Sequence, residues 1–405
     1  MLSLQQDNQL SAMLTFLKRP ALAYFSASLF VITWWSWAFN SNQKPIISHF
    51  TPQLVTSEPV LQISNISLPP ISREKLHEAL SGNIQLMIKL MAEWDIEAQI
   101  LCSEGYHEVK RLHPEKFVLA QRIGRTVATP ATHANDLYLP QSFLSASFLL
   151  ALIPPEQIAA IPAGLRRQTQ LYNKELTDAI AVDIDKYSSE KIFLAKPKLA
   201  FTAPYSHPAT IEMLQRQQVE LCCLGNLRDY HSLAECLKTI GGKVGCSEKA
   251  ELMSLFMQSA LHAIENRLTV IRQQPGMERK IAETLCLNHN LSFSATTPKM
   301  VIGSLLSQLG LNQALKASVD EQRWKIPLEH EQIAGWNPFC LIISTMEPSA
   351  TIQNLILQDP GLAQLSAVQN NRVYIVNEEI QESPSQFIIL ACFDLYIALA
   401  HAIYS

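Results

Sequence analysis

The chain has no Cys-x-x-Cys pair, no internal repeat and no low-complexity tract. The first absence removes support for zinc ribbons and thioredoxin-like redox chemistry. Gly-x-Ser-x-Gly, the P-loop, Gly-x-Gly-x-x-Gly and a His-Glu-x-x-His helix are also missing, and His330-Glu331 has no second His at helical spacing. Nothing pairs a nucleophile with a base, so the chain does not read as an enzyme. Charge is scarce: 17% of the 405 residues are Asp, Glu, Lys or Arg, and the net charge is −4. No basic patch with interleaved aromatics exists, which leaves no electrostatic case for nucleic acid as a partner. What is abundant is apolar surface, 48% of residues, enough for a sizeable core and two or three domains.

Charge is wholly absent from residues 21–39, ALAYFSASLFVITWWSWAF. As a helix this run would rise roughly 29 Å, the thickness of a bilayer core. Lys18 and Arg19 precede it and only Lys44 follows soon after, which puts residues 1–20 in the cytoplasm and the bulk of the chain outside it. Trp34, Trp35 and Trp37 gather at its far end, as interfacial aromatics do. The expectation is a single-pass anchor in the inner membrane. The alternative is a signal segment cleaved after Ser36-Trp37-Ala38, giving a soluble periplasmic protein. No cysteine lies nearby to carry a lipid; the first is Cys102. Of the eight cysteines, Cys222, Cys223, Cys340 and Cys392 sit in apolar runs and read as small buried hydrophobes. Cys236 and Cys246 flank a Gly-Gly turn, at a spacing compatible with pairing in an oxidising compartment.

Residues 40–70 hold Pro45, Pro52, Pro59, Pro69 and Pro70 among Ser, Thr and Gln, the composition of an extended tether. Residues 71–116 carry Leu76, Leu80, Ile84, Met87, Leu90, Met91 and Trp94 at helical spacing and form an extra helical segment. From residue 117, short apolar runs alternate with amphipathic helices. RIGRTVAT, ending at Pro130, KLAFT, VELCCL, FCLIIS and VYIV are strands; PATIEMLQRQQ and ATIQNLILQ are helices. Such alternation predicts α/β units with mainly parallel sheets. Residues 247–272 contain no Gly or Pro, and Leu252, Phe256, Ala260, Ala263, Ile264 and Leu268 make one apolar stripe. The expected architecture is a first α/β lobe over 117–246, an inter-lobe helix over 247–272 and a second α/β lobe over 273–405.

From 117 onward the sequence resembles the substrate-binding proteins of ABC importers, in the subgroup with a rigid inter-lobe helix that takes cobalamin, ferric siderophores or haem. The likeness rests on short tracts in order: RIG…TP, SSEKIFLAKPKLAFT, TIGGKVGCSEKAELM, IGSLLSQLGLNQAL, WKIPLEHEQIAGWNPFCLIIS and NNRVYIVNEEIQESPSQFIILACFDLYIALAH. It departs from the pattern where Lys198 and Phe339 follow the Lys-Pro and Asn-Pro pairs, positions where the family often has Asp. It departs again in a longer first loop and in everything before 117.

The resemblance implies a ligand cleft between the lobes, small lobe closure, and partners in an ABC permease and its ATPase. It implies no resident cofactor or metal, the iron chelate, haem or corrinoid being cargo. It places permease-docking carboxylates at Glu190 and Glu331; the alternative is that both simply begin helices. Ligand-binding candidates are Tyr205 and His207 after KLAFT, Trp324, Arg166 and Arg167 for an anionic chelate, and His133 in the first loop. For Arg166 and Arg167 solvated surface is the preferred reading, and for His207 a loop capped by polar residues stands level with a ligand role. A family member that has lost transport and serves as a membrane-tethered interaction protein is the competing function.

Overall fold

The apolar runs become strands and the amphipathic stretches become the helices that cover them. The computed structural model describes residues 50–101, 110–111, 114, 136–184, 192, 194, 196–317 and 323–404, except 55–56, 60, 64–65 and 69. The charge-free run at 21–39, the strand ending at Pro130, His133 and Glu190 lie outside them. Among the described residues no helix is long and apolar enough to cross a membrane.

The strands are β1 Gln53–Leu54, β2 Leu61–Ile63, β3 Ile66–Leu68, β4 Tyr138–Pro140, β5 Ile161–Pro162, β6 Asp183–Ile184, β7 Leu199–Thr202, β8 Glu220–Cys223, β9 Thr284–Asn290, β10 Ser292–Thr296, β11 Lys325–Pro327, β12 Cys340–Thr345 and β13 Val373–Asn377. β4-β7-β8 make a parallel three-stranded sheet. A six-stranded sheet runs β1-β13-β12-β9-β10-β11, parallel as far as β9 and antiparallel beyond it. β2 and β3 form a hairpin, and β5 pairs β6 in parallel.

The helices used below are α1 Arg73–Leu80, α2 Ile84–Ile100, α3 Phe143–Leu152, α4 Pro208–Arg216, α5 Tyr230–Lys243, α6 Ser247–Arg272, α7 Val301–Gln308, α8 His330–Trp336, α9 Ser349–Gln358 and α10 Ile388–Tyr404. α4 joins β7 to β8, and α9 lies between β12 and β13, the crossovers that parallel pairs require. Both faces of the parallel sheets are covered, which is why their strands are apolar without alternation. On β12, Cys340 and Ile342 enter the main core while Leu341 and Ile343 enter a second cluster under α8 and α9. On β7, Leu199 and Phe201 face the main core and Ala200 packs with Leu139, Leu214 and Val219. The 26-residue α6 lies between the two sheets in the chain, and its Leu252, Phe256, Ala260, Ala263, Ile264 and Leu268 are all buried.

All seven described cysteines are free thiols, Cys236 and Cys246 included. Cys223 corrects one expectation: it is exposed, because it sits on the outer side of the edge strand β8.

The tether expected over 40–70 is corrected in its described part. Phe50 is buried in the second cluster, and β1 adds an edge strand to the six-stranded sheet beside β13. Gln53 Nε2 donates to the Asn371 carbonyl at 3.0 Å, and His401 Nε2 donates to the Ser57 carbonyl at 2.6 Å. Glu58 is buried: it accepts from the Ile71 amide at 2.6 Å, from the Tyr396 hydroxyl at 2.5 Å, and from Arg267 of α6. Proline spacing made the segment read as free; a short strand pairing, a buried carboxylate and a phenyl ring fix it to the body.

The helical segment that follows is anchored the same way. Asn83 caps α2, and Trp94 of α2 stacks on Phe256 of α6 at 5.4 Å. Glu97 takes Arg267 in a two-pronged pair, Nε at 2.8 Å and Nη2 at 2.6 Å. Arg73 of α1 grips the buried Asp394 of α10 likewise, at 2.7 and 3.1 Å. Burial alone would loosen the Arg267 proton; the Glu97 hydrogen bonds and the two carboxylate charges outweigh it and hold the guanidinium charged. Breaking a buried ion pair by removing one partner costs about 3–5 kcal/mol. Arg267→Met should lose stability of that order in urea unfolding, and adding Glu58→Gln and Glu97→Gln should restore much of it. A single mutant as stable as the parent would show that the pairs contribute nothing.

Candidate functional site

In parallel α/β sheets, ligands are held beyond the carboxyl ends of the strands. On the three-stranded sheet that edge is the turn after β7. The Ala203 amide donates to Ser206 Oγ and the Ser206 amide donates to the Ala203 carbonyl, both at 2.9 Å, so the turn closes on itself and pushes Tyr205 outward. Tyr205 is 80% exposed. His207 ends the turn by capping α4, its Nδ1 accepting from the Ala209 amide at 3.2 Å.

On the six-stranded sheet the edge is more polar. Asn288 of β9 donates from Nδ2 to Glu382 at 2.8 Å, and Lys325 of β11 forms an ion pair with the same carboxylate. Burial raises the Glu378 carboxyl above its ordinary value, the Glu382 charge adds to this, and Lys325 opposes it. Burial raises Glu379 too. Behind this edge is a cavity of about 20 Å³, lined in part by Asn288, Thr296, Ser344 and Gln381, in which Ser344 Oγ has no hydrogen-bond partner. That volume suits one water molecule.

His289, also at the end of β9, is buried, and neither ring nitrogen makes a hydrogen bond. Its Nδ1 is 3.4 Å from Glu347 Oε1, and its ring meets Phe293 edge-on at 4.9 Å. Phe293 meets His330 in turn at 5.6 Å, and His330 Nδ1 lies 2.7 Å from Asp359 Oδ2. This chain of rings carries the start of α8 to the carboxyl edge of the sheet. Glu331, the next residue, is therefore exposed on that edge.

The expected site residues are thus spread. Tyr205, His207 and Glu331 stand on carboxyl edges. Trp324 is 61% exposed, but it precedes β11 where Lys325 pairs with Thr296, so it stands at the side edge of the six-stranded sheet. Arg166 is a correction: it is neither solvated nor open to an anionic ligand. Its Nε is 2.6 Å from Asp183, Nη1 is 3.5 Å from Asp178, and it donates to the Thr177 and Ile180 carbonyls. It ties β6 to the segment before it. Arg167 is exposed. Sequence reasoning passed over Asn288, Lys325, Ser344 and Glu382. The one signal available was Asn288-His289-Asn290, three polar residues closing an apolar strand.

Residues 145–380 match the family model described as periplasmic binding protein. No curated protein matches the chain. Among solved structures, the periplasmic heme-binding protein RhuT from Roseiflexus sp. RS-1 is 15% identical, with a TM-score of 0.52 over 66% of this chain and 98% of that one. FhuD2 from Staphylococcus aureus with bound ferrioxamine B is 14% identical, with a TM-score of 0.51 over 66% and 99%. A possible iron-binding periplasmic solute-binding protein from Staphylococcus epidermidis is 16% identical, with a TM-score of 0.51 over 66% and 98%. At these identities the likeness is one of fold.

Burial lowers the affinity of His289 for a proton, opposed by Glu347 and reinforced by His330. Burial lowers His77 also, opposed by the Leu171 carbonyl and reinforced by Arg73. The unfolded chain therefore binds more protons than the native one below the ordinary imidazole value of about 6.5, and stability falls as pH drops through that window. Urea midpoints measured from pH 7.5 to 5.5 should fall on acidification. They should fall less in His289→Phe, which keeps the ring contact with Phe293 and removes one titrating group. Equal slopes in the two proteins would contradict this.

Proposed function

Because the chain belongs to the periplasmic binding protein family, we propose that it is the substrate-binding component of an ABC importer, taking an iron chelate (siderophore or haem) or a corrinoid at the carboxyl edges of its two sheets and handing it to a permease served by an ATPase. The observation that carries this reading is the succession of two mainly parallel α/β units joined in the chain by one long helix, each presenting polar or aromatic groups on its carboxyl edge. The residues assigned to the ligand are Tyr205 and, with its Nε2 uncommitted by the cap, His207 on a carboxyl edge, with Trp324, exposed at the side edge of the other sheet, as the second aromatic contact. On the six-stranded side Glu347, Glu378, Glu379 and Glu382 stand against Lys325, and Arg166 is engaged elsewhere. That balance favours a chelate with a neutral or cationic face over a polyanion. The charge-free run at 21–39 behind Lys18 and Arg19 supports retention at the periplasmic face of the inner membrane.

A second reading, a membrane-tethered interaction protein without transport, is favoured by the extra helices α1 and α2, which lie before the region matched by the family. Purification of the full chain in detergent, followed by absorbance and native mass spectrometry, separates the two. A stoichiometric chelate, haem or corrinoid supports transport. A ligand-free protein that also fails to bind each of these when offered contradicts it. Once the ligand is identified, Tyr205→Ala with Trp324→Ala should weaken its binding by about tenfold or more, the loss of two aromatic contacts.

The docking assignment of Glu190 and Glu331 has its own test. Separated carboxylates on one face fix orientation on a basic partner through charge-assisted hydrogen bonds. Glu190→Lys and Glu331→Lys should cut permease binding and uptake, and more so together, while ligand affinity and melting temperature stay unchanged. Normal uptake in the double mutant removes the docking role.

A further inference from the structure

The segment from Phe50 to Ile100 lies wholly before residue 145, where the family match begins, yet it contacts both α/β units and the helix between them in the chain. At one end Phe50 is buried in the second cluster, and β1 is paired with β13, so this end belongs to the six-stranded unit. In the middle, Glu58 and Glu97 close on Arg267 of α6, and Trp94 stacks on Phe256 of the same helix. Toward the other side, His77 Nε2 donates to the Leu171 carbonyl at 3.0 Å. Gly82, at φ +105°, lies so close to α3 that a Cβ there would sit 2.3 Å from the Ala151 carbonyl oxygen. Leu171 and α3 belong to the three-stranded unit. The His77 ring also stacks at 5.2 Å on Phe387, which Tyr172 meets edge-on at 5.6 Å.

We propose that residues 50–100 form a strap across the hinge, fixed to both α/β units and to the helix between them, that holds the units at one angle. A binding protein closes on its ligand by rotating its lobes about the connecting segment. A long helix alone resists that rotation at one point. The strap adds an anchor on each side, so rotation would have to pull Phe50 from its cluster, part β1 from β13, or separate Gly82 from α3. Ligand exchange would then proceed through side-chain and loop movements at the carboxyl edges with the units held still. This consequence for ligand rests on the binding reading above; the strap itself does not.

Spin labels can be placed on exposed positions of each unit, at Gln215→Cys and Asn370→Cys, in a full-length Cys102→Ser, Cys223→Ser background. Double electron–electron resonance, recorded without ligand, should give one narrow distance. Phe50→Asp, which puts a charge in the apolar cluster, releases one end of the strap. Gly82→Leu, which collides with Ala151, releases the other. Each should shift or broaden the distance while circular dichroism keeps the helix content of the parent. A broad distribution in the parent chain overturns the proposal, as does an unchanged narrow distance in both variants. The readout needs no ligand and no permease, so its failure is distinct from failure of the transport reading.

Discussion

One buried guanidinium holds together segments that lie far apart in the chain. Arg267 sits in the middle of the core on α6, and it is 1% exposed. Such a charge survives burial only when it is paired and hydrogen-bonded. Glu97 takes two of them, and Glu58 takes a third while accepting from Ile71 and Tyr396. Two carboxylates around one cation leave an excess of negative charge, which the Tyr396 hydroxyl and the Ile71 amide help to absorb. The N-terminal segment, α2, the hinge helix and α10 are therefore joined at one point by directional bonds. Apolar packing alone would tolerate sliding of these elements; the fork of a guanidinium does not.

The parallel units were legible because their signal is periodic and local. β7, α4 and β8 fall within the runs read from sequence, and β12, α9 and β13 exceed theirs by one residue each, since a strand covered on both faces has to be apolar throughout. The bounds of α6 were equally plain, because a 26-residue stretch without Gly or Pro has little else to become. The docking of residues 50–70 was illegible for the opposite reason. Its buried anchor, Glu58, pairs with a residue 209 positions away, and nothing in Ser-Glu-Pro announces it. Arg166 was misjudged on similar grounds: Asp178 and Asp183 are near in sequence, but only the turn of the chain brings them onto the guanidinium.

At the candidate site, sequence located the carboxyl edge of the three-stranded sheet through Tyr205 and His207. The edge of the other sheet is assembled from β9, β11, β12 and the residues after β13, so its polar groups come together only through pairing. Asn288, Lys325 and Glu382 are spread over 94 positions of the chain. A polar network of this kind orients side chains before any ligand arrives, and a strapped hinge would preserve the distance between the two edges. On the proposed function, both features would put recognition in a fixed frame and leave little to lobe closure.

Native-state hydrogen exchange tests the central claim, that the segment before the family region is part of the cooperative core. Amides that open only by global unfolding share the highest protection in a protein. The Ile71 amide, bonded to Glu58, and the amides of α2 should exchange with the same free energy and the same denaturant dependence as those of α6. Exchange of Ile71 and α2 through a low-energy local opening, with α6 still protected, would contradict it.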